Sequence, residues 1–159
     1  MSWQDHLSQS LTTHERVVIV GVGNVLYGDD GAGEAIITGL QGRYTTPPAG
    51  QLWLYGGTAP ENLLGKICDF NPGLVILIDA LDINAPPGSI HWLDWAAIDG
   101  ISATTHSLPL TMLGRYLEEM CGAQVAVLGI RAEVATLQQG LSAPVAGAVE
   151  QILTALNPA

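Results

Sequence analysis

The chain has 159 residues, enough to bury one full core, and 48% hydrophobic against 13% charged residues excludes a disordered polymer. Its 19 glycines point to a compact globule with many tight turns. A formal net charge of −10, with five basic residues, repels phosphate backbones and anionic bilayers, so neither nucleic acid nor a membrane is an expected partner.

Residues 1–15 are polar and weakly patterned, an N-terminal arm or short helix ahead of a single domain over 16–159. The arm has no positive n-region and no apolar h-region, so it does not read as a signal peptide. No apolar run approaches the ~18 residues of a membrane helix, and a cytoplasmic, soluble protein is expected. Val17 to Val20 form a short β-branched run, the mark of a strand buried on both faces. Gly21, Gly23 and Asn24 then supply residue types that tolerate a tight strand-to-helix turn.

Asp29 and Asp30 follow, where a helix N-terminus favours negative charge, and Ile36, Ile37, Leu40 and Tyr44 recur at helical spacing over 33–44. Leu52 to Tyr55 reads as a second strand stopped by Gly56-Gly57. Thr58 and Glu61 stand at capping-box spacing before a helix with Leu63, Leu64, Ile67 and Cys68 inward. Leu74 to Ile78 is another continuous aliphatic strand, ending at Asp79, and 89–93 is a weak edge strand. A short turn is expected over 95–99. Pro109 suits the first turn of the next helix, whose apolar face is Leu110, Leu113, Leu117 and Met120. Residues 124–130 form the last strand, and Ser142 caps a final helix that buries Val145, Val149, Ile152 and Leu156. Strands alternating with helices imply an α/β sandwich with a mostly parallel sheet.

Cys68 and Cys121 lie in apolar helical patterns without C-x-x-C spacing, so free core cysteines are expected. A nucleotide cofactor is disfavoured, because Leu26 stands where a dinucleotide fingerprint needs its third glycine and two carboxylates would repel a pyrophosphate. Neither a phosphate-binding G-x-x-x-x-G-K nor a G-x-S-x-G elbow is present.

Three polar residues remain at places that should converge: Asp30 after the first strand, Asp79 at the end of the third, and His106 in the polar segment before a helix. Two carboxylates and one imidazole suit a divalent transition metal with open positions. Each also has a plainer role open to it. One of the Asp29/Asp30 pair is expected to serve as a cap, His106 taken alone is a surface or capping histidine, and Asp82 is a solvated loop acid. His6, His14 and His91 fall outside this geometry.

Five segments in order, GVGNVLYGDDGAG (21–33), YGGTAPENLL (55–64), VILIDALD (75–82), PPGSI (86–90) and TTHSLPL (104–110), make the chain resemble the [NiFe] hydrogenase maturation endopeptidases. The resemblance covers about 17–156 and is nearest to members that process the large subunit of formate-hydrogenlyase-type hydrogenases. It implies a three-layer α/β/α sandwich around a mostly parallel, twisted five-stranded sheet. It also implies an endopeptidase that removes the C-terminal extension of a large-subunit precursor after nickel insertion. The nickel arrives on that substrate, and the family's nickel-facing positions fall on Asp30, Asp79 and His106. Asp30 or Asp79 is then the catalytic base, and Gly56, Gly57 and Thr58 match a segment that lines the substrate cleft. Ligation would need a neutral His106, so processing should weaken below about pH 6. Two other activities fit the same residues: a nickel or precursor-binding chaperone without proteolysis, and a metallohydrolase with resident zinc.

Overall fold

A computed structural model describes residues 1–103 and 108–157. Five strands, β1 (Val17–Val22), β2 (Gln51–Gly57), β3 (Leu74–Leu81), β4 (Ile90–Asp94) and β5 (Gln124–Arg131), form one sheet in the order β2-β1-β3-β5-β4. All neighbours pair in parallel except β4, which runs antiparallel to β5. The helices are α1 (Trp3–Thr13), α2 (Ala32–Arg43), α3 (Leu64–Phe70), α4 (Leu110–Cys121) and α5 (Ala143–Ala155). Among the described residues no helix is long and apolar enough to cross a membrane.

Alternation along the strands divides the core in two. Val17, Ile19, Ile76, Ile78, Leu128 and Ile130 point to the face covered by α1, α2 and α5. Val18, Val20, Val75, Leu77, Val125 and Val127 point to the face covered by α3 and α4. β1 and β3 are buried along their whole length, which is why Val17 to Val20 and Leu74 to Ile78 are unbroken aliphatic runs rather than alternating ones. The result is the expected α/β/α sandwich with a mostly parallel five-stranded sheet.

The polar N-terminal segment is helical because Ser2 and Asp5 form a reciprocal cap, Asp5 N–H donating to Ser2 Oγ (3.1 Å) and Ser2 N–H to Asp5 Oδ2 (2.9 Å). Leu7 is its buried anchor, and the His6 ring stacks on Trp92 of β4 with centroids 6.0 Å apart.

Several local expectations are corrected. Cys68 and Cys121 are not free: they form a disulfide between α3 and α4, with Cα atoms 4.7 Å apart. Cys121 lies four residues beyond Leu117 and so takes the inward position, leaving Met120 66% exposed rather than part of the apolar face. Thr58 does not cap a helix; Pro60 opens a 3₁₀ turn over Pro60–Leu63 with Ala59 at its N-cap, and α3 starts only at Leu64. Asp79 does not end β3 but lies inside it, opposite Gly129 of β5, since pairing with β5 continues to Leu81. Of the three residues expected in the turn, Gly21 lies inside β1, and Gly23 alone takes a positive φ, +133°. Gly21 is needed for close approach instead: a Cβ there would lie 2.7 Å from the carbonyl carbon of Gly33 at the start of α2.

Candidate functional site

The site is built at the carboxyl ends of β1 and β3, where a parallel sheet opens a crevice. After β1 the chain runs through Gly23 and Asn24 into a 3₁₀ turn, Gly28–Gly31, that holds both acids of the pair and contacts β3. The adjacent aspartates have different partners and different work. Asp29 is wholly buried and accepts four hydrogen bonds: Glu133 N–H (2.8 Å), Val134 N–H (2.8 Å), Ser142 N–H (2.7 Å) and Ser142 Oγ–H (2.9 Å). It clamps the connection between β5 and α5 against the turn. The expected cap is therefore inverted: Ser142 sits at the N-cap of α5, but its hydroxyl goes to Asp29 and makes no helix-capping bond.

Asp30 faces a pocket of about 390 Å³ lined also by Asn24, Tyr27, Ala103 and Ala135. Its Oδ2 accepts the Asn24 N–H at 2.8 Å, and Asn24 Oδ1 in turn accepts the Leu26 N–H at 2.9 Å, so the turn itself aims the carboxylate. Asp30 is 4% exposed.

Asp79 is fully buried and its Oδ2 accepts the Ser102 hydroxyl at 2.5 Å. Residues 101–103 run back along the end of β3, with Asp82 N–H donating to Ile101 C=O (2.7 Å) and Ala103 N–H to Ala80 C=O (2.9 Å). That path brings Ser102 onto Asp79 and makes Ala103 a wall of the Asp30 pocket. The two acids thus belong to adjoining elements of one rim, linked through two successive residues.

His106, the third expected member, lies outside the described residues, three positions beyond Ala103. Among the described residues no group of three or more His, Cys, Asp or Glu side chains is placed to hold a metal ion. The remaining histidines are engaged elsewhere: His14 Nδ1 with Ser10 C=O (2.9 Å), His91 Nε2 with Ser89 Oγ (2.8 Å), and His6 against Trp92. Asp82 is exposed and lines a neighbouring pocket with Ser102, Arg131 and Glu133.

On the other side of Asn24 lies a groove of about 690 Å³ between the Gly23–Leu26 turn and residues 55–63, with Gly56, Gly57 and Thr58 in its wall. Gly57 has φ +56°. The Tyr55 hydroxyl crosses this groove to the Gly23 carbonyl at 3.3 Å. Burial first, then the Glu34 and Asp30 carboxylates, push that hydroxyl above its ordinary pKa near 10.0, so it stays a donor at neutral pH. Sequence reasoning missed Ser102 and Tyr55 as members of the site. Both sit within quoted motif segments or beside them, but only the returning path of 101–103 and the end of β2 bring them to the acids.

The family model "HycI: Hydrogenase maturation protease" matches residues 35–158. The Hydrogenase 3 maturation protease of Escherichia coli (strain K12) is 34% identical over 143 residues, 88% of either chain. The crystal structure of a [NiFe] hydrogenase maturation protease HycI from Thermococcus kodakarensis KOD1 superposes with a TM-score of 0.82 at 29% identity, covering 94% of each chain. The solution structure of an endopeptidase HycI from Escherichia coli gives a TM-score of 0.76 at 31% identity, covering 87% of each. With segments 21–33, 55–64 and 75–82 meeting at the Asp30 rim and its groove, the chain belongs to the hydrogenase maturation protease family.

Proposed function

We propose that this endopeptidase cleaves the C-terminal extension from the large-subunit precursor of a [NiFe] hydrogenase, of the hydrogenase 3 type, once the precursor carries nickel. The observation that supports this reading most is the joining of Asp79 to the Asp30 pocket through Ser102 and Ala103, at the point where the chain enters 104–107. Two carboxylates and an imidazole are a suitable donor set for a borderline divalent cation such as nickel. In this reading the nickel is part of the substrate, met by Asp30, Asp79 and His106.

The groove walled by Gly56, Gly57 and Thr58 receives the extended segment to be cut, beside Asp30. A side chain at Gly56 would meet Pro60, its Cβ 2.8 Å from that of Pro60, so the wall stays low. Asp30, held by Asn24 and opening to the pocket, is placed to take a proton from the attacking water, while Asp79 is buried beneath Ser102. The nickel borne by the substrate orients the scissile carbonyl, which makes cleavage conditional on prior metal insertion.

The deciding experiment mixes purified protein with precursor, loaded or not with nickel, and measures the large subunit's mass. Shortening only of the loaded precursor is expected, and Asp79→Asn or His106→Ala should abolish it. Binding without shortening would make the protein a chaperone, and stoichiometric zinc in the isolated protein would favour a resident-metal hydrolase.

A further inference from the structure

Eight large apolar side chains are exposed among the described residues, and four of them cluster. Val25 (43%), Leu26 (56%), Tyr27 (42%) and Leu137 (75%) share one ridge beside the Asp30 pocket. Two loops from opposite ends of the chain make it. Gly28 N–H donates to Gln138 C=O (2.9 Å), Gln138 N–H to Leu26 C=O (3.0 Å), and Asp29 N–H to Val134 C=O (2.7 Å).

The four bonds into the Asp29 carboxylate lock the same two loops from below. At Gly28, with φ +59°, a Cβ would lie 2.7 Å from Val134 C=O, so the loops touch closely. A buried carboxylate and a glycine contact therefore hold a surface that leaves four large apolar groups in water. Nothing in the stability of the monomer requires that exposure, and clustered exposed apolar groups mark interaction sites.

We propose that this ridge docks the folded body of the hydrogenase precursor, at an apolar patch of that protein ringed by lysine and arginine. Two observations select that occupant. The ridge is continuous with the cutting groove, since Val25 and Leu26 also line it, so a body whose tail lies in the groove sits beside the ridge. The flank is acidic on balance: among the described residues lining the neighbouring pocket, two exposed acids, Asp82 and Glu133, stand against Arg131, whose Nε–H turns to Ile83 C=O. A chain with fifteen acidic and five basic residues matches a basic rim on its partner. This assignment rests on the protease reading and adds to it a second contact, away from the bond that is cut.

The test measures binding of nickel-loaded precursor to an Asp79→Asn protein, which holds substrate without turnover, and processing kinetics in the active background. Adding Leu137→Ser, a ridge position that lines neither the groove nor the Asp30 pocket, should weaken binding by roughly fivefold or more. It should raise KM by a similar factor and leave kcat unchanged, because this side chain lines neither the groove nor the Asp30 pocket. Met120→Ser, on exposed α4 surface, should change neither quantity, and added salt should weaken wild-type binding. Should that variant melt early, Leu137→Ala is judged by the same criteria. Unchanged precursor affinity in a folded ridge variant overturns the inference while the protease reading stands, as does an equal loss from Met120→Ser. Salt-insensitive binding overturns the basic ring. If wild-type protein fails to shorten loaded precursor, the protease reading falls and the docking assignment with it.

Discussion

The Ser102 hydroxyl donates to Asp79 Oδ2 at 2.5 Å, and this bond is the link between a fully buried strand acid and the segment that leads to His106. Removing a donor so that a buried acceptor loses its partner costs about 1–3 kcal/mol. Ser102→Ala should therefore lower unfolding free energy by about 2 kcal/mol in urea titration and slow precursor processing. Ser102→Thr, which keeps the hydroxyl, should recover most of the processing rate. Wild-type rates in the alanine variant would show that the bond does not position Asp79.

The two adjacent aspartates should separate cleanly on mutation. Asp29→Asn replaces one acceptor oxygen with an amide donor facing a cluster of four donors, and should cost about 2–4 kcal/mol of stability. Asp30→Asn can still accept the Asn24 N–H through its amide oxygen, so its stability should stay within about 1 kcal/mol of wild type. Processing should nevertheless be lost in Asp30→Asn. Denaturation curves paired with the precursor assay check both halves of this contrast.

Gly23→Ala should be damaging out of proportion to its size. Its φ is +133°, and a Cβ there would overlap the backbone carbonyl oxygen of Asp30. Backbone strain of this kind costs on the order of 1–3 kcal/mol, and relief would have to move Asp30. A drop in melting temperature together with lost processing is expected.

The Cys68–Cys121 bridge spans a sequence separation of 53 residues. Chain-entropy arguments assign a loop of that length about 4 kcal/mol. Reduction, or Cys121→Ser, should lower stability by up to that amount in denaturant titration. Equal stability with and without reductant would mean that packing of α3 on α4 suffices.

Two groups give the stability a pH dependence of known sign. Hydrogen bonds from the Ser2 backbone and then its side chain hold the Asp5 carboxyl below its ordinary 3.8. Its contribution to α1 is present above 3.8 and is lost as pH falls through the lower folded value. Tyr55 is shifted the other way, above 10.0, so its contribution is present below 10.0 and is lost as pH rises through the folded value. Amide exchange in α1 at acid pH and ultraviolet titration of tyrosinate, compared with Tyr55→Phe, read the two limbs separately.

The buried strands were legible because burial on both faces writes itself into composition: Val17 to Val20 and Leu74 to Ile78 admit no polar residue. The different duties of Asp29 and Asp30 were not legible, since they depend on a loop more than a hundred residues downstream returning to one acid and not its neighbour. The cysteine pairing was hidden for a similar reason. Each cysteine fits an inward helical position, and only the side-by-side packing of α3 and α4 brings the two Cα atoms to 4.7 Å. Asp79 was placed at a strand end because an acid inside a central strand is costly unless hydrogen-bonded, and the Ser102 donor comes from a non-adjacent segment. His106 is outside the described residues, and the role proposed for it rests on the resemblance.

The bridge also closes a covalent ring that contains the whole of β3, β4 and α4. A peptide bond broken anywhere inside that ring, even by another copy of the same enzyme, would leave both fragments in one molecule. An oxidised sample nicked there would run as an intact chain on a non-reducing gel and separate into two bands once reductant is added.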